Sequence, residues 1–196
     1  MVKKTIDNFG RLDILINNVG TYVETDVFNE NSYDAYRRLI RINNDSAMLA
    51  SLAAADELKK NRGSIVFVSS VLSRMALNKF YGYCASKAAM TMFAKCLALE
   101  LAPHVRVNVC SPGPVDTRFH EGIGHMSSEQ FCSAFDKTTL GNKVAKPEDI
   151  ASVVYFLTSD EAKSINGHDT MVDDGFLIKP AVQPLSTILV EEKSKQ

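Results

Sequence analysis

Tyr83 and Lys87 stand four residues apart, a spacing that places both side chains on one face of a helix. An ammonium beside a phenol favours the phenolate and lowers a pKa that otherwise sits near about 10. Such a pair makes Tyr83 a candidate general acid/base for an alcohol/carbonyl couple. Tyr81 has Ala85 at the corresponding position and therefore no helper. Ser70 lies thirteen residues before Tyr83, just past an apolar run, where its hydroxyl can hydrogen-bond the reacting oxygen. Taken alone the pair is weak, because Tyr and Lys at this spacing also occur as a solvated helix pair. Its neighbours decide the matter.

Those neighbours are set by an alternation of short β-branched runs and long helical patterns, which predicts an α/β chain with a parallel sheet and helices on both faces. Strands are expected at residues 12–16, 64–68, 105–111 and 168–172, the first two being near-continuous apolar runs suited to burial on both faces. Helices are expected over 1–10, from Asn31 or Ser32 to about 60, over 81–101, and from Pro147 to about 159. The polar stretch 117–142 carries Gly122, Gly124 and Gly141 and is long for a connection, so it is expected to be either functional or mobile. Residues 1–178 read as one domain and 179–196 as a loosely attached tail. With this layout NNVG (17–20) follows the first strand, Ser69 and Ser70 the second, and SPGPVDT (111–117) the third, while YCASK opens a helix. Ligands of open parallel sheets bind at the carboxyl ends of the strands, and all four motifs fall there.

Other residues carry less. His104, His120, His125 and His168 show no triad or metal spacing, and Cys84, Cys96, Cys110 and Cys132 no paired-ligand spacing. No metal site is expected, and the cysteines read as packed, reduced thiols. Asp173 and Asp174 are adjacent, and adjacent strand residues face opposite sides. Apolar residues make up 45%, charged residues 23%, and the net charge is -1. That balance gives no footprint for nucleic acid or an anionic membrane. The first residues lack an apolar signal core and no run of 18 apolar residues occurs, so an intracellular, cytoplasmic protein is expected.

The four ordered motifs resemble those of the short-chain dehydrogenase/reductase superfamily, in particular its 3-oxoacyl reductases, over about residues 5–175. The resemblance implies a Rossmann-like doubly wound parallel sheet of which this is the C-terminal portion. It implies that Asn43, Ser70, Tyr83 and Lys87 are catalytic. By the same resemblance Asn18, Gly20, Tyr83, Lys87, Pro112, Gly113, Val115 and Thr117 hold the nicotinamide end of NAD or NADP. NNVG departs mildly from the family's NNAG at Val19, and VDDG (172–175) answers its VDGG-like segment. The implied chemistry is hydride transfer between the cofactor and a small alcohol or carbonyl compound. Tyr83 would exchange the proton, Lys87 hold the ribose and bias the tyrosine, Ser70 orient the carbonyl, and Asn43 anchor a relay water. A homo-oligomer through helices 32–60 and 81–101 is implied as well.

One family feature is not in the sequence. The TGxxxGxG turn, whose backbone and helix N-terminus meet the cofactor's phosphates, is absent. The first three family strands and the adenine half-site are expected to be missing with it. The strand at 12–16 would then be an open, aggregation-prone edge. Two functions follow: an NAD(P)(H)-dependent oxidoreductase whose dinucleotide binding is impaired, or a non-catalytic subunit acting by pairing with an intact one.

Overall fold

The structure, a computed structural model, describes residues 1–122 and 126–179; Gly124, His125 and residues 180–196, nearly all of the expected tail, lie outside them. Strands β1 (Ile14–Asn17), β2 (Ser64–Val68), β3 (Arg106–Pro112) and β4 (Asp169–Val172) form one parallel sheet in the order β1-β2-β3-β4. Ile14 stands opposite Ser64, Ser64 opposite Arg106, and Val109 opposite Asp169. Each expected strand is present: β2 at the expected residues, β1 and β3 displaced slightly toward the C-terminus, and β4 beginning one residue later. At β1 the reason is visible: the Leu12 carbonyl accepts from Asn61 Nδ2 and the Asp13 carbonyl from Ser64 N–H. The ladder proper therefore begins at Ile14.

Helix α1 (Val2–Phe9) precedes the sheet. The long helix expected from 32 to 60 is two helices, α2 (Ser32–Ile40) and α3 (Ser46–Asn61), joined by a π turn at Arg41–Asp45. A π turn changes the backbone register while leaving the apolar pattern nearly intact, so periodicity did not reveal it. Helix α4 (Tyr81–Leu101) follows β2, and α6 (Pro147–Thr158) opens on Pro147 with Glu148 and Asp149 in its first turn. The stretch 117–142, read as a connection, contains a 3-10 turn (Arg118–Gly122) and helix α5 (Ser128–Phe135). Its capping box was legible as Ser127-x-x-Gln130: Ser127 Oγ accepts from Gln130 N–H, and Gln130 Oε1 accepts from Ser127 N–H.

The central strands β2 and β3 are buried on both faces. Ile65, Phe67, Val107 and Val109 pack under α3 and α4 against Leu58, Met90, Ala94 and Leu97. Val66 and Cys110 pack on the other face against Ile150, Val154 and Leu157 of α6. At β1 the second face is open: Leu15 and Asn17 are buried, whereas Ile14 and Ile16 are 44% and 48% exposed. Of the cysteines, Cys110 alone is buried and Cys96 is exposed. The expectation that all four are packed is corrected for Cys96, which α4 presents to solvent.

Candidate active site

Each motif at the carboxyl edge splits its labour between adjacent residues, because alternate strand residues face opposite sides. Asn17 points inward and donates from Nδ2 to Ser51 Oγ of α3 at 2.9 Å, leaving Asn18 to line the groove. Ser69 Oγ binds the Lys87 carbonyl at 3.1 Å and Thr91 Oγ1 at 2.9 Å, clamping β2 to α4. Ser70 faces the groove, where its Oγ accepts from Leu72 N–H at 3.1 Å. That acceptance leaves the hydroxyl proton to donate elsewhere. Two turns carry the next pieces: Asp173 accepts from Gly175 and Leu177 N–H, and Asp174 from Gly141 N–H. These two carboxylates are backbone caps.

The groove encloses about 750 Å³ at the carboxyl end of the sheet. Asn18, Gly20, Ser70, Tyr83, Lys87, Pro112, Gly113, Val115 and Thr117 all line it. Tyr83 is buried and Tyr81 is 40% exposed, outside the groove. Gly82, just before Tyr83, is where α4 crosses the loop after β1: a Cβ there would meet Thr25 Cγ2 at 2.8 Å and Leu39 Cδ1 at 2.9 Å. Its N–H donates to Thr25 Oγ1 at 3.1 Å. The start of α4, and with it the Tyr83 ring, is thus held from both sides.

Lys87 reaches across the Tyr83 ring, its Nζ 5.6 Å from the centroid, and donates to the Val68 carbonyl at 2.9 Å. Burial pushes the Lys87 ammonium down to about 8. Burial also pushes the Tyr83 phenol well above its ordinary range, with a hydrogen bond from Ser70 opposing part of the rise. This corrects the expectation that Lys87 lowers the tyrosine. The cation lies over the ring rather than at the hydroxyl, and both groups have been removed from water, which disfavours each charged form. In the structure Tyr83 is a neutral acid beside a weakened cation.

Asn43 sits within the π turn and is fully buried. Its Oδ1 accepts from Thr21 N–H at 2.8 Å, and its Nδ2 donates to the Thr21 carbonyl at 3.0 Å and to Ser86 Oγ at 2.9 Å. The side chain ties the loop after β1 to α4, and π turns recur at functional sites. Asn44 is the structural neighbour, donating to the Ser86 carbonyl at 2.8 Å.

The nicotinamide end of a dinucleotide fits this arrangement. A Cβ at Gly20 would meet Lys87 Nζ at 3.4 Å and Asn43 Oδ1 at 3.7 Å, so glycine keeps open the approach to the ammonium. A bridge between Val115 and Ala145 is made through the Pro114 carbonyl and the Asp116 N–H. Among the described residues Val115's own N–H and carbonyl stay without a partner, as a planar carboxamide would need. Thr117 stands beside them, its Oγ1 accepting from Phe119 N–H at 3.3 Å.

A family model described as enoyl-(acyl carrier protein) reductase matches residues 1–177. The chain belongs to the short-chain dehydrogenase/reductase family. It is 38% identical over 168 residues to an uncharacterized oxidoreductase of Methylorubrum extorquens, covering 85% of this chain and 66% of that protein. It is 34% identical over 179 residues to meso-2,3-butanediol dehydrogenase of Serratia marcescens, covering 89% and 68%. The chain thus spans about two thirds of the length of the relatives it matches. Among solved structures, ligand-free aldohexose dehydrogenase of Thermoplasma acidophilum superposes with a TM-score of 0.87 at 27% identity, covering 93% of this chain and 74% of that one. A Caenorhabditis elegans short-chain dehydrogenase/reductase solved with cofactor gives 0.85 at 28% identity, covering 93% and 71%. The four-stranded parallel sheet is this family's Rossmann-like sheet in part.

Two features of this family member were missed from its sequence. Arg74 of the loop after Ser70 donates to Asp169 Oδ2 at 2.8 Å, and Asp169 Oδ1 accepts from Ser111 Oγ at 2.6 Å. The link joins three strand ends, and its partners lie 95 and 58 residues apart. The second is a ring of aromatics about Tyr83: Tyr22, Phe80 and Phe119 lie 6.3, 6.4 and 5.6 Å from it, centroid to centroid. Among the described residues no group of three His, Cys, Asp or Glu is placed to hold a metal, and no helix is long and apolar enough to cross a membrane.

Proposed function

We propose that the chain is the catalytic part of an NAD(P)(H)-dependent oxidoreductase that interconverts an alcohol and a carbonyl compound. The observation that carries this is the convergence of Ser70, Tyr83 and Lys87 on one groove that Asn18, Gly20, Val115 and Thr117 also line. When bound, the nicotinamide supplies or takes the hydride.

In reduction, Tyr83 gives its proton to the substrate oxygen as negative charge develops there, and the protonated state enforced by burial keeps that proton available. Ser70 donates a hydrogen bond to the same oxygen, keeping its own proton, and orients the carbonyl. Lys87 holds positive charge over the ring that becomes phenolate and, by its place beside Gly20, would hold the nicotinamide ribose. Asn43 acts through position, since Thr21 and Ser86 occupy its amide. In oxidation the same groups run in reverse, Tyr83 receiving the proton.

A homo-oligomer through helices 32–60 and 81–101 is part of this reading. Met48, Leu49 and Leu52 of α3 and Met92 and Leu99 of α4 are exposed apolar residues on the two helices proposed to pair with a second copy.

The test joins residues 1–177 to the glycine-rich amino-terminal half of a relative and follows NADH or NADPH consumption with simple ketones. Turnover is expected. Saturable cofactor binding with no transfer to any carbonyl compound would overturn the reading. A polypeptide of residues 1–196 alone is expected to bind either cofactor without saturating at low micromolar concentration, because the sequence supplies no phosphate turn.

A further inference from the structure

We infer that the carbonyl compound taken by this site is an uncharged, ring-bearing apolar ketone or the corresponding secondary alcohol, and that Phe119 is a specificity-determining residue for it. The inference rests on the oxidoreductase reading for its reaction, but it is drawn from the apolar lining of the groove. Leu72, Leu77, Phe80, Phe119, Phe131 and Phe135 line the groove, and Phe80 and Phe119 lie against Tyr83. They come from three separate segments, the turn after β2, the start of α4 and the stretch 117–142. Phe119 packs on the Tyr83 ring and Phe131 on Phe135, 4.7 Å between centroids. A flat apolar ring next to the reacting carbon would meet aromatic faces and edges, the contacts that aromatic walls favour.

The charges near the site point the same way. Lys87 is the one charged residue lining the groove among the described residues, and it is committed to Val68 and the cofactor side. Arg74 is turned away onto Asp169, and Arg118 is paired with Glu121 at 3.1 Å outside the groove. No cation among the described residues is placed to receive a substrate carboxylate or phosphate, and an unpaired buried anion is heavily disfavoured. A polyol fares poorly for a related reason. Ser70 and Tyr83 serve one oxygen, and further hydroxyls would lie against Leu72, Leu77 and the phenylalanines without partners. Each such hydroxyl is expected to lower specificity by at least about tenfold.

Two readouts keep this inference separable from the oxidoreductase reading. The first is saturation-transfer NMR on residues 1–196 without cofactor, using acetophenone and cyclohexanone against an aldohexose and pyruvate. The apolar ketones should show transfer that Phe119→Ala weakens by about tenfold, while the sugar and the acid show none. The second is kcat/KM in the chain joined to a glycine-rich half, where the apolar ketones should exceed both polar compounds by at least about 100-fold. Phe119→Ala should raise KM for acetophenone much more than it lowers kcat. Equal or better turnover of the aldohexose or pyruvate would overturn the inference while leaving the oxidoreductase reading intact. Absence of any turnover with cofactor bound would overturn that reading instead, and the NMR comparison would still decide what the aromatic wall accepts. Apolar ketone binding insensitive to Phe119→Ala would also overturn the inference.

Discussion

The two faces of one sheet differ in how completely they are built. Under α3 and α4 the face is closed from β1 to β3: Leu15, Ile65, Phe67, Val107 and Val109 meet two helices, and Asn43 and Ser69 are hydrogen-bonded to α4 there. Under α6 the face is closed over β2 and β3 and open over β1, where Ile14 and Ile16 join the groove wall. The closed face supports the residues proposed as catalytic, and the half-open face lines the groove proposed to receive the ligands. Much of the support of the residues proposed as catalytic, the bonds of Asn43 to Ser86 and of Ser69 to Lys87 and Thr91, therefore comes from the closed side.

This contrast can be broken in graded ways. The largest effect is expected on the closed face. Phe67→Ala removes a fully buried ring packed edge-on against Phe93 at 5.8 Å and should cost about 3–5 kcal/mol in urea unfolding. Next comes a pH effect at Lys87. Its folded-state pKa is lowered from 10.5 to about 8, so the unfolded chain binds the extra proton between those values. Stability should therefore rise from about pH 8 toward pH 10, by roughly 2 kcal/mol. The rise should vanish in Lys87→Met. Above pH 10 the raised Tyr83 acts oppositely, because unfolding then releases its proton.

Asp169→Ala should cost about 1–2 kcal/mol. It leaves Ser111 buried without its partner while the half-exposed Arg74 recovers water. The smallest effect belongs to the open side: Ile16→Thr in a polypeptide of residues 1–196 should stay within about 0.5 kcal/mol of the parent. It should also reduce self-association in sedimentation velocity, since β1 is an apolar sheet edge. A loss at Ile16 as large as that at Phe67 would erase the distinction between the faces.

The sheet was legible because buried parallel strands write themselves as apolar runs, and SIVFV at Ser64–Val68 was placed without error. The groove-lining residues were legible because their motifs follow strand ends in fixed order. Three things were not. The π turn at Arg41–Asp45 leaves no mark on an apolar period, and the Arg74–Asp169–Ser111 link joins residues whose separation carries no pattern. The electrostatics of Tyr83 were misjudged because spacing shows that Lys87 is near, whereas the sign of the shift depends on how deeply both are buried. Helix α5 is a different case: its Ser127-x-x-Gln130 cap was written in the sequence and outweighed by weak periodicity.

The central claim is that the closed face presents Tyr83 as the proton donor, and comparison of two single-atom deletions tests it most directly. In the chain joined to a glycine-rich amino-terminal half, turnover of one ketone is measured for Tyr83→Phe and Tyr81→Phe, with circular dichroism verifying that both remain folded. Tyr83→Phe should lose at least about 100-fold in kcat, and Tyr81→Phe, exposed and outside the groove, should stay close to the parent. Equal losses in the two variants, or full activity in Tyr83→Phe, would contradict the account.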